Sequence, residues 1–248
     1  MLDARDLCKR FGALTVTSGV TLSVPAGERR VVLGPNGAGK TTLFNLLAGE
    51  LRPDAGSIRL CGRDVTALGV DARARLGLSR SYQRNTLFAG LSVRENLALA
   101  AATAQGRSAT LLSDSLRHPA VVETVAEVAA RLGLTERLDW PADALPYGDR
   151  RRLELGLALA TRPRVLLMDE PTSGIGPGAI EAFHAVLRGL PADLTLVVVE
   201  HDMDLAFEIA DRVTVLDHGE VVFEGPPAAA RESPLVREIY LGRWRRDA

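Results

Sequence analysis

Apolar residues along the chain follow two rhythms. Short continuous or alternating runs, each closed by turn formers, predict strands at Val20 to Val24, Arg30 to Leu33, Ser57 to Leu60, Arg164 to Met168, Leu194 to Val199, Arg212 to Leu216 and Glu220 to Phe223. Helical spacing predicts helices at Gly39 to Leu51, Val93 to Ala102, Pro119 to Leu132, Arg150 to Ala160, Pro177 to Leu190 and Asp202 to Ala210. From Arg164 onward strand and helix alternate, which predicts a parallel sheet with helices on its faces. The stretch from about Leu91 to Thr161 is helix-like without a convincing strand, so it reads as a helical insertion in an α/β core. No repeat or long polar linker divides the chain. The expectation is one domain over 1–248, with a core at about 1–90 and 162–248 and a helical subdomain at about 91–161.

Composition narrows the class. The 248 residues are 46% hydrophobic and 25% charged, with 30 basic against 31 acidic side chains. That is the balance of a globular protein with a sizeable core, and it excludes disordered, collagenous and coiled-coil chains. Without a basic excess there is no electrostatic footprint for nucleic acid, so no such partner is expected. Cys8 and Cys61 have neither a metal-ligand nor a CxxC spacing, which points to a reducing compartment. Apolar runs such as Leu97 to Thr103 fall short of the roughly 20 residues that span a bilayer. The first residues lack the pattern of a secretory signal, so the cytoplasm is expected. Lys9 and Lys40 are the only lysines among the 30 basic residues. A compact ammonium and a planar guanidinium are not interchangeable in a tight site, which directs attention to Lys40.

Lys40 lies in Gly34-Pro35-Asn36-Gly37-Ala38-Gly39-Lys40-Thr41-Thr42, a GxxxxGK[ST] pattern between a predicted strand and a predicted helix. Glycines let successive backbone N–H groups turn inward around a phosphate, and the helix adds the positive end of its dipole. Lys40 adds a mobile cation, and the Thr41 hydroxyl is placed for Mg²⁺ bridging the β- and γ-phosphates of a nucleotide. A second apolar strand ends in Asp169-Glu170. Buried carboxylates are costly, so two at a strand end suggest work: Asp169 anchoring Mg²⁺ through water, and Glu170 orienting or deprotonating a water in line with the γ-phosphate. A third strand ends in Glu200-His201-Asp202. His201 is either a γ-phosphate contact or a structural capping residue. The remaining histidines, His118, His184 and His218, read as surface or turn residues.

In this order the residues resemble the ATP-binding subunit of an ABC transporter, over nearly the whole chain. The resemblance implies a P-loop NTPase (RecA-like) core with a mostly parallel sheet, an N-terminal antiparallel β subdomain and the inserted α-helical subdomain. It implies that Phe11 stacks on adenine and that Gln83, in Ser-Tyr-Gln-Arg-Asn, is the Q-loop glutamine at the metal and among the catalytic residues. It places Leu145-Pro146-Tyr147-Gly148-Asp149 at the signature motif, Asp169 and Glu170 at the Walker B acids, Ser173 to Gly176 at the D-loop and His201 at the switch histidine. Three stretches are similar to the LivG-type ATPase of branched-chain amino acid importers: Leu-Pro-Tyr-Gly-Asp-Arg-Arg-Arg-Leu-Glu, Glu-His-Asp-Met and the ending Val236-Arg-Glu-Ile-Tyr-Leu-Gly242. ATPases of urea or short-amide import, of lipopolysaccharide export and of non-transport systems share the frame and stand as alternatives. A GTPase is excluded, because no Asn is followed by Lys.

The signature departs from the family pattern. Pro146 stands where Ser is usual and has neither the hydroxyl nor an N–H, Tyr147 replaces the first Gly, and Gly176 replaces the D-loop Asp. Gly148 keeps the close backbone approach. In that family a signature serves the opposite subunit's ATP, so the resemblance implies a second ABC ATPase subunit, in an asymmetric heterodimer or, in isolation, a homodimer. The resemblance also implies two transmembrane permease subunits, an indirectly engaged solute-binding protein, and a peripheral position on the cytoplasmic face of the inner membrane. Arg80, Arg84 and Arg94 are either contacts for acidic permease residues or solvated arginines. The tail Arg243-Trp244-Arg245-Arg246 is either a headgroup contact or a frayed end.

Overall fold

The computed structural model describes residues 1–81, 87–106, 117–200 and 203–244, and within these all side chains except those of 177–179, 204–205 and 240–244. Among the described residues ten strands form two sheets. β1 (Leu2–Phe11), β2 (Leu14–Val24), β4 (Ala55–Leu60) and β5 (Arg63–Asp64) make an antiparallel sheet in the order β2-β1-β4-β5. β3 (Arg29–Leu33), β6 (Leu78–Ser81), β7 (Val165–Asp169), β8 (Thr195–Val199), β9 (Arg212–Asp217) and β10 (Glu220–Gly225) form the second, in the order β10-β9-β3-β8-β7-β6. All its pairings are parallel except β9 with β10.

The described helices are α1 (Lys40–Ala48), α2 (Val70–Arg75), α3 (Val93–Ala104), α4 (Pro119–Leu132), α5 (Tyr147–Ala160), α6 (Pro177–Arg188), α7 (Met203–Ile209), α8 (Pro227–Glu232) and α9 (Pro234–Trp244). Local chemistry starts and stops them. Ser92 and Glu95 form a reciprocal capping box at the head of α3, and Gly133 in left-handed conformation ends α4.

The parallel sheet is buried on both faces, so its strands are continuously apolar and alternate residues feed two cores. Val31, Leu33, Leu166, Met168, Leu196 and Val198 join α3, α4 and α5 on one side. Val32, Val165, Leu167, Val197 and Val199 join α1 and the antiparallel sheet on the other. This sandwich carries the C-terminal ends of β3, β7 and β8 to one edge, the place where open α/β sheets bind ligands.

Several expectations change. β1 and β6 were not expected: β1 is charged on its outer face, and β6, Leu-Ser-Arg-Ser, is a polar edge strand whose pairing with β7 makes it a strand. α2, α8 and α9 are also additions, and α9 makes Arg243 and Trp244 a helical turn where a frayed end was an option. His184 is a buried residue of α6, 8% exposed, with Nδ1 3.8 Å from Glu208, where a surface residue was expected. His118 caps α4 by accepting the Ala120 N–H, and His218 lies exposed between β9 and β10. Arg80 is not a surface arginine either, because its side chain is 8% exposed and ion-paired inside the molecule. Arg94 pairs with Asp139, while Arg84 lies outside the described residues.

Candidate functional site

The loop from Gly34 to Gly39 joins β3 to α1. Gly39, the N-cap of α1, has φ 98°, and a Cβ there would lie 2.6 Å from the Val16 carbonyl of β2. Only glycine combines that left-handed backbone with that approach. The cap has no side chain bonded to the helix amides and α1 has no acid in its first turn, so the helix N-terminus keeps its positive end for an anion. Asn36, Gly37 and Thr41 are exposed, Pro35 and Thr42 half-buried, and Ala38 buried. Gly219 N–H to the Ala38 carbonyl, 3.0 Å, and Ala38 N–H to Pro35, 3.1 Å, hold the loop in shape. Lys40 is buried at 7% exposure and folds back to donate to the carbonyls of Gly34 at 2.6 Å and Pro35 at 3.0 Å.

Asp169 ends β7 beside β8, which itself lies beside β3. Burial pushes its carboxyl above the usual range, the Arg80 guanidinium pulls it back down, and Glu170 adds to the rise. The charge of Lys40 also acts on it, so cradle and acid form one electrostatic unit. Arg80 Nη2 donates to Asp169 Oδ2 at 3.2 Å, and its Nη1 donates to Asn45 of α1 at 2.6 Å and to Glu50 at 3.1 Å.

Glu170 is held in the left-handed region, φ 46°, which costs a side-chain-bearing residue roughly 1–2 kcal/mol. Its N–H donates to Val199 at 2.9 Å and its carbonyl accepts the Ser173 N–H at 3.0 Å, so strand end and following turn together enforce the conformation. The fully buried Glu200 accepts from the Thr172 hydroxyl at 2.8 Å, tying the end of β8 to the loop after Glu170. That role for Glu200 had no local signal. It follows from β7 and β8 being neighbours.

Tyr147 and Gly148 stand apart from this group, at the head of α5. Tyr147 is 51% exposed, and its hydroxyl donates to the Ser173 carbonyl at 3.3 Å. Arg151 donates to the same carbonyl at 3.0 Å. Asp149 is buried and ion-paired with Arg137 and Arg152. Phe11 is 49% exposed where β1 turns into β2, with Lys9 Nζ 5.7 Å from its ring centre. Gln83 and His201 lie outside the described residues.

The donors fit the expected groups. An uncapped helix behind a glycine-rich turn with a lysine suits a polyphosphate. Thr41 and Asp169 offer oxygen ligands suited to a hard divalent cation, and no group of three or more His, Cys, Asp or Glu among the described residues forms a full metal cage. The oxygen donors of Thr41 and Asp169 are of the kind that fits Mg²⁺, which usually takes one or two carboxylates and completes its shell with phosphate and water.

Comparison with known proteins agrees. The model of the family described as ABC transporter matches residues 17–173. The chain belongs to that family. As an ABC ATPase it is 35% identical over 98% of both chains to the high-affinity branched-chain amino acid transport ATP-binding protein BraF of Pseudomonas aeruginosa. It is 34% identical, over 98% of both, to LivG of Escherichia coli, a protein of the same description. It is also 35% identical to the lipopolysaccharide export ATP-binding protein LptB of Acidithiobacillus ferridurans, over 98% of this chain and 97% of that one. Among solved structures, a nucleotide-free ATP-binding cassette from an ABC transporter superposes with TM-score 0.83 at 27% identity, covering 97% of this ABC ATPase and 98% of that chain. The ADP conformation of an ATP-binding cassette gives 0.82 at 29% identity, covering 98% of both. No helix among the described residues is long and apolar enough to cross a membrane.

Proposed function

We propose that this ABC ATPase binds and hydrolyses ATP to power an importer of branched-chain amino acids or related small solutes. The observation that carries the reading is the pairing of an open phosphate cradle after β3 with two consecutive acids, Asp169 and Glu170, at the end of β7 in the same sheet. The names of the BraF and LivG relatives supply the solute class. The resemblance to LptB supports a second reading, lipopolysaccharide export.

In this reading the backbone amides from Gly34 to Gly39 and the N-terminus of α1 grip the β- and γ-phosphates, with Thr42 beside them. Lys40 exchanges its two carbonyl partners for phosphate oxygens. Phe11 offers its exposed face to adenine. Thr41, Asp169 and Gln83 hold Mg²⁺, which when bound neutralises the charge that develops on the phosphates. Glu170 orients the attacking water and takes its proton, and His201 steadies the γ-phosphate. Tyr147 and Gly148 face the nucleotide of a second ABC ATPase subunit. Because Pro146 brings no hydroxyl or N–H and Tyr147 already bonds Ser173, that mirrored site is the weaker of the two, which favours a heterodimer. The helical subdomain at about 91–161 and the Gln83 segment meet two membrane permeases on the cytoplasmic face, while a solute-binding protein acts through them.

Co-purification from membranes with its permeases, followed by solute-stimulated ATPase assays, tests the reading. Stimulation by a branched-chain amino acid supports it, while stimulation by lipopolysaccharide alone supports the exporter. In the assembled complex, Glu170→Gln is expected to retain ATP binding and lose turnover by about 100-fold or more. Pro146→Ser is expected to raise turnover, and an unchanged rate refutes the asymmetry.

A further inference from the structure

Arg80 is the residue whose placement departs furthest from its sequence reading. β6 runs parallel to β7 with Arg80 opposite Leu167, and Asp169 lies two residues beyond Leu167. Side chains two apart on a strand share a face, so Arg80 and Asp169 both point to the α1 side of the sheet, where Leu167 and Phe44 belong to one buried core. There the guanidinium divides its donors. Nη2 goes to Asp169 at 3.2 Å; Nη1 goes to Asn45 at 2.6 Å and Glu50 at 3.1 Å; and Cζ lies 6.0 Å from the centre of the Phe44 ring.

We infer that Arg80 is an internal counter-ion that occupies Asp169 when no metal is bound, so that Mg²⁺ reaches this carboxylate by displacing a guanidinium. The inference rests on the nucleotide reading above and assigns Arg80 a positioning role, since it acts through Asp169. Three observations carry it. Asp169 and Arg80 are both nearly buried, at 7% and 8% side-chain exposure, so each needs a partner while the site is empty of metal. In that reading Asp169 is also the carboxylate that would hold Mg²⁺, so one group serves two cations. Finally, Asn45 and Glu50 keep bonds to Arg80 when Asp169 lets go, so the exchange leaves no buried cation without an acceptor. Glu50, 32% exposed, is the resting anchor of the displaced guanidinium.

The two ends of the arrangement predict opposite effects. Removing the guanidinium leaves Mg²⁺ without a competitor, and removing Glu50 throws Arg80 more fully onto Asp169. The test is the Mg²⁺ concentration that half-saturates the tightening of a fluorescent ADP on the full-length protein, with ADP affinity in EDTA measured alongside. Arg80→Gln is expected to lower the Mg²⁺ half-saturation at least about tenfold, because even at a water-like effective dielectric of about 80 a unit charge about 5 Å from a divalent ion repels it by slightly more than the equivalent of a factor of ten. Glu50→Gln is expected to raise it about threefold, as a partly exposed pair contributes less. ADP affinity in EDTA stays within about twofold in both, which a general structural defect would not allow. An Arg80→Gln protein whose Mg²⁺ requirement is unchanged or raised, while it still binds ADP in EDTA, overturns the inference and leaves the ATPase reading intact. If Arg80→Gln does not fold, an unchanged or lowered requirement in Glu50→Gln does the same. A wild-type protein that binds ADP in neither condition overturns both.

Discussion

Arg73 offers a sharp test of how the helix behind the phosphate loop is held. It is fully buried, and its guanidinium donates to Leu46 and Leu47 at 2.7 Å each, to Leu68 at 2.9 Å and to Thr66 at 3.4 Å. Leu46 and Leu47 carry two of the last four carbonyls of α1, so a cation from α2 meets the negative end of the helix whose positive end faces the cradle. Burial lowers the Arg73 pKa to about 10, with the charge of Asp64 opposing the drop, so the group is a cation at neutral pH. Arg73→Met keeps the apolar stem and removes every donor. Two short bonds from a charged donor are worth about 1.5–3 kcal/mol each, and Gly49 N–H, 3.2 Å from the Leu46 carbonyl, recovers part of that. The net loss is about 3–5 kcal/mol. For a protein of this size that lowers Tm by roughly 6–15 °C, and Arg73→Lys, with fewer donors, should recover less than half. The measurements are thermal and urea unfolding, with ADP binding at a temperature where the variant is folded. ADP affinity should be near wild type, because Lys40 and Thr41 lie at the other end of α1. A Tm within about 2 °C of wild type would refute the reasoning, since the buried guanidinium would then contribute nothing to the end of α1.

Two further perturbations probe the site and its frame. Gly174 has φ +76°, and a Cβ there would lie 2.6 Å from the Tyr147 hydroxyl, so Gly174→Ala should cost about 1–3 kcal/mol by urea unfolding. In a double-mutant cycle Tyr147→Phe should relieve the steric part, and a coupling below about 0.5 kcal/mol would show that the two loops do not touch in solution. Acid should destabilise the fold through Glu95, Asp54 and Asp139. The Ser92 backbone and hydroxyl lower the first, the Lys9 side chain and Arg10 backbone the second, and the Arg94 side chain the third. A depressed folded pKa gives stability that is present above the ordinary carboxylate value near about 4 and disappears as pH falls through the folded value. Asp169, raised by burial, has the opposite sign and loses stability with rising pH. Glu95→Gln should therefore flatten Tm against pH on the acid side, and an unchanged slope would remove the capping box from the account.

Some of the molecule could be read locally and some could not. The phosphate loop was legible because its chemistry lies in contiguous residues: glycines that permit the turn, a lysine, and a helix beginning at once. The same holds for α4, whose predicted bounds Pro119 to Leu132 match the observed ones, with a proline start and a glycine stop. β6 was not legible, since its four residues carry no apolar run and become a strand only by pairing with β7. Arg80 was read as a surface group for the same reason: its partners Asn45, Glu50 and Asp169 come from three separate parts of the chain.

The chain by itself therefore determined that a phosphate-binding turn and two strand-end acids exist, because backbone freedom and residue type along a few consecutive positions suffice for each. Tertiary structure alone decided who neutralises whom. A buried charge takes its meaning from the nearest opposite charge, and that neighbour is set by sheet order: β6 beside β7 aims Arg80 at Asp169, and β8 beside β7 aims Glu200 at Thr172.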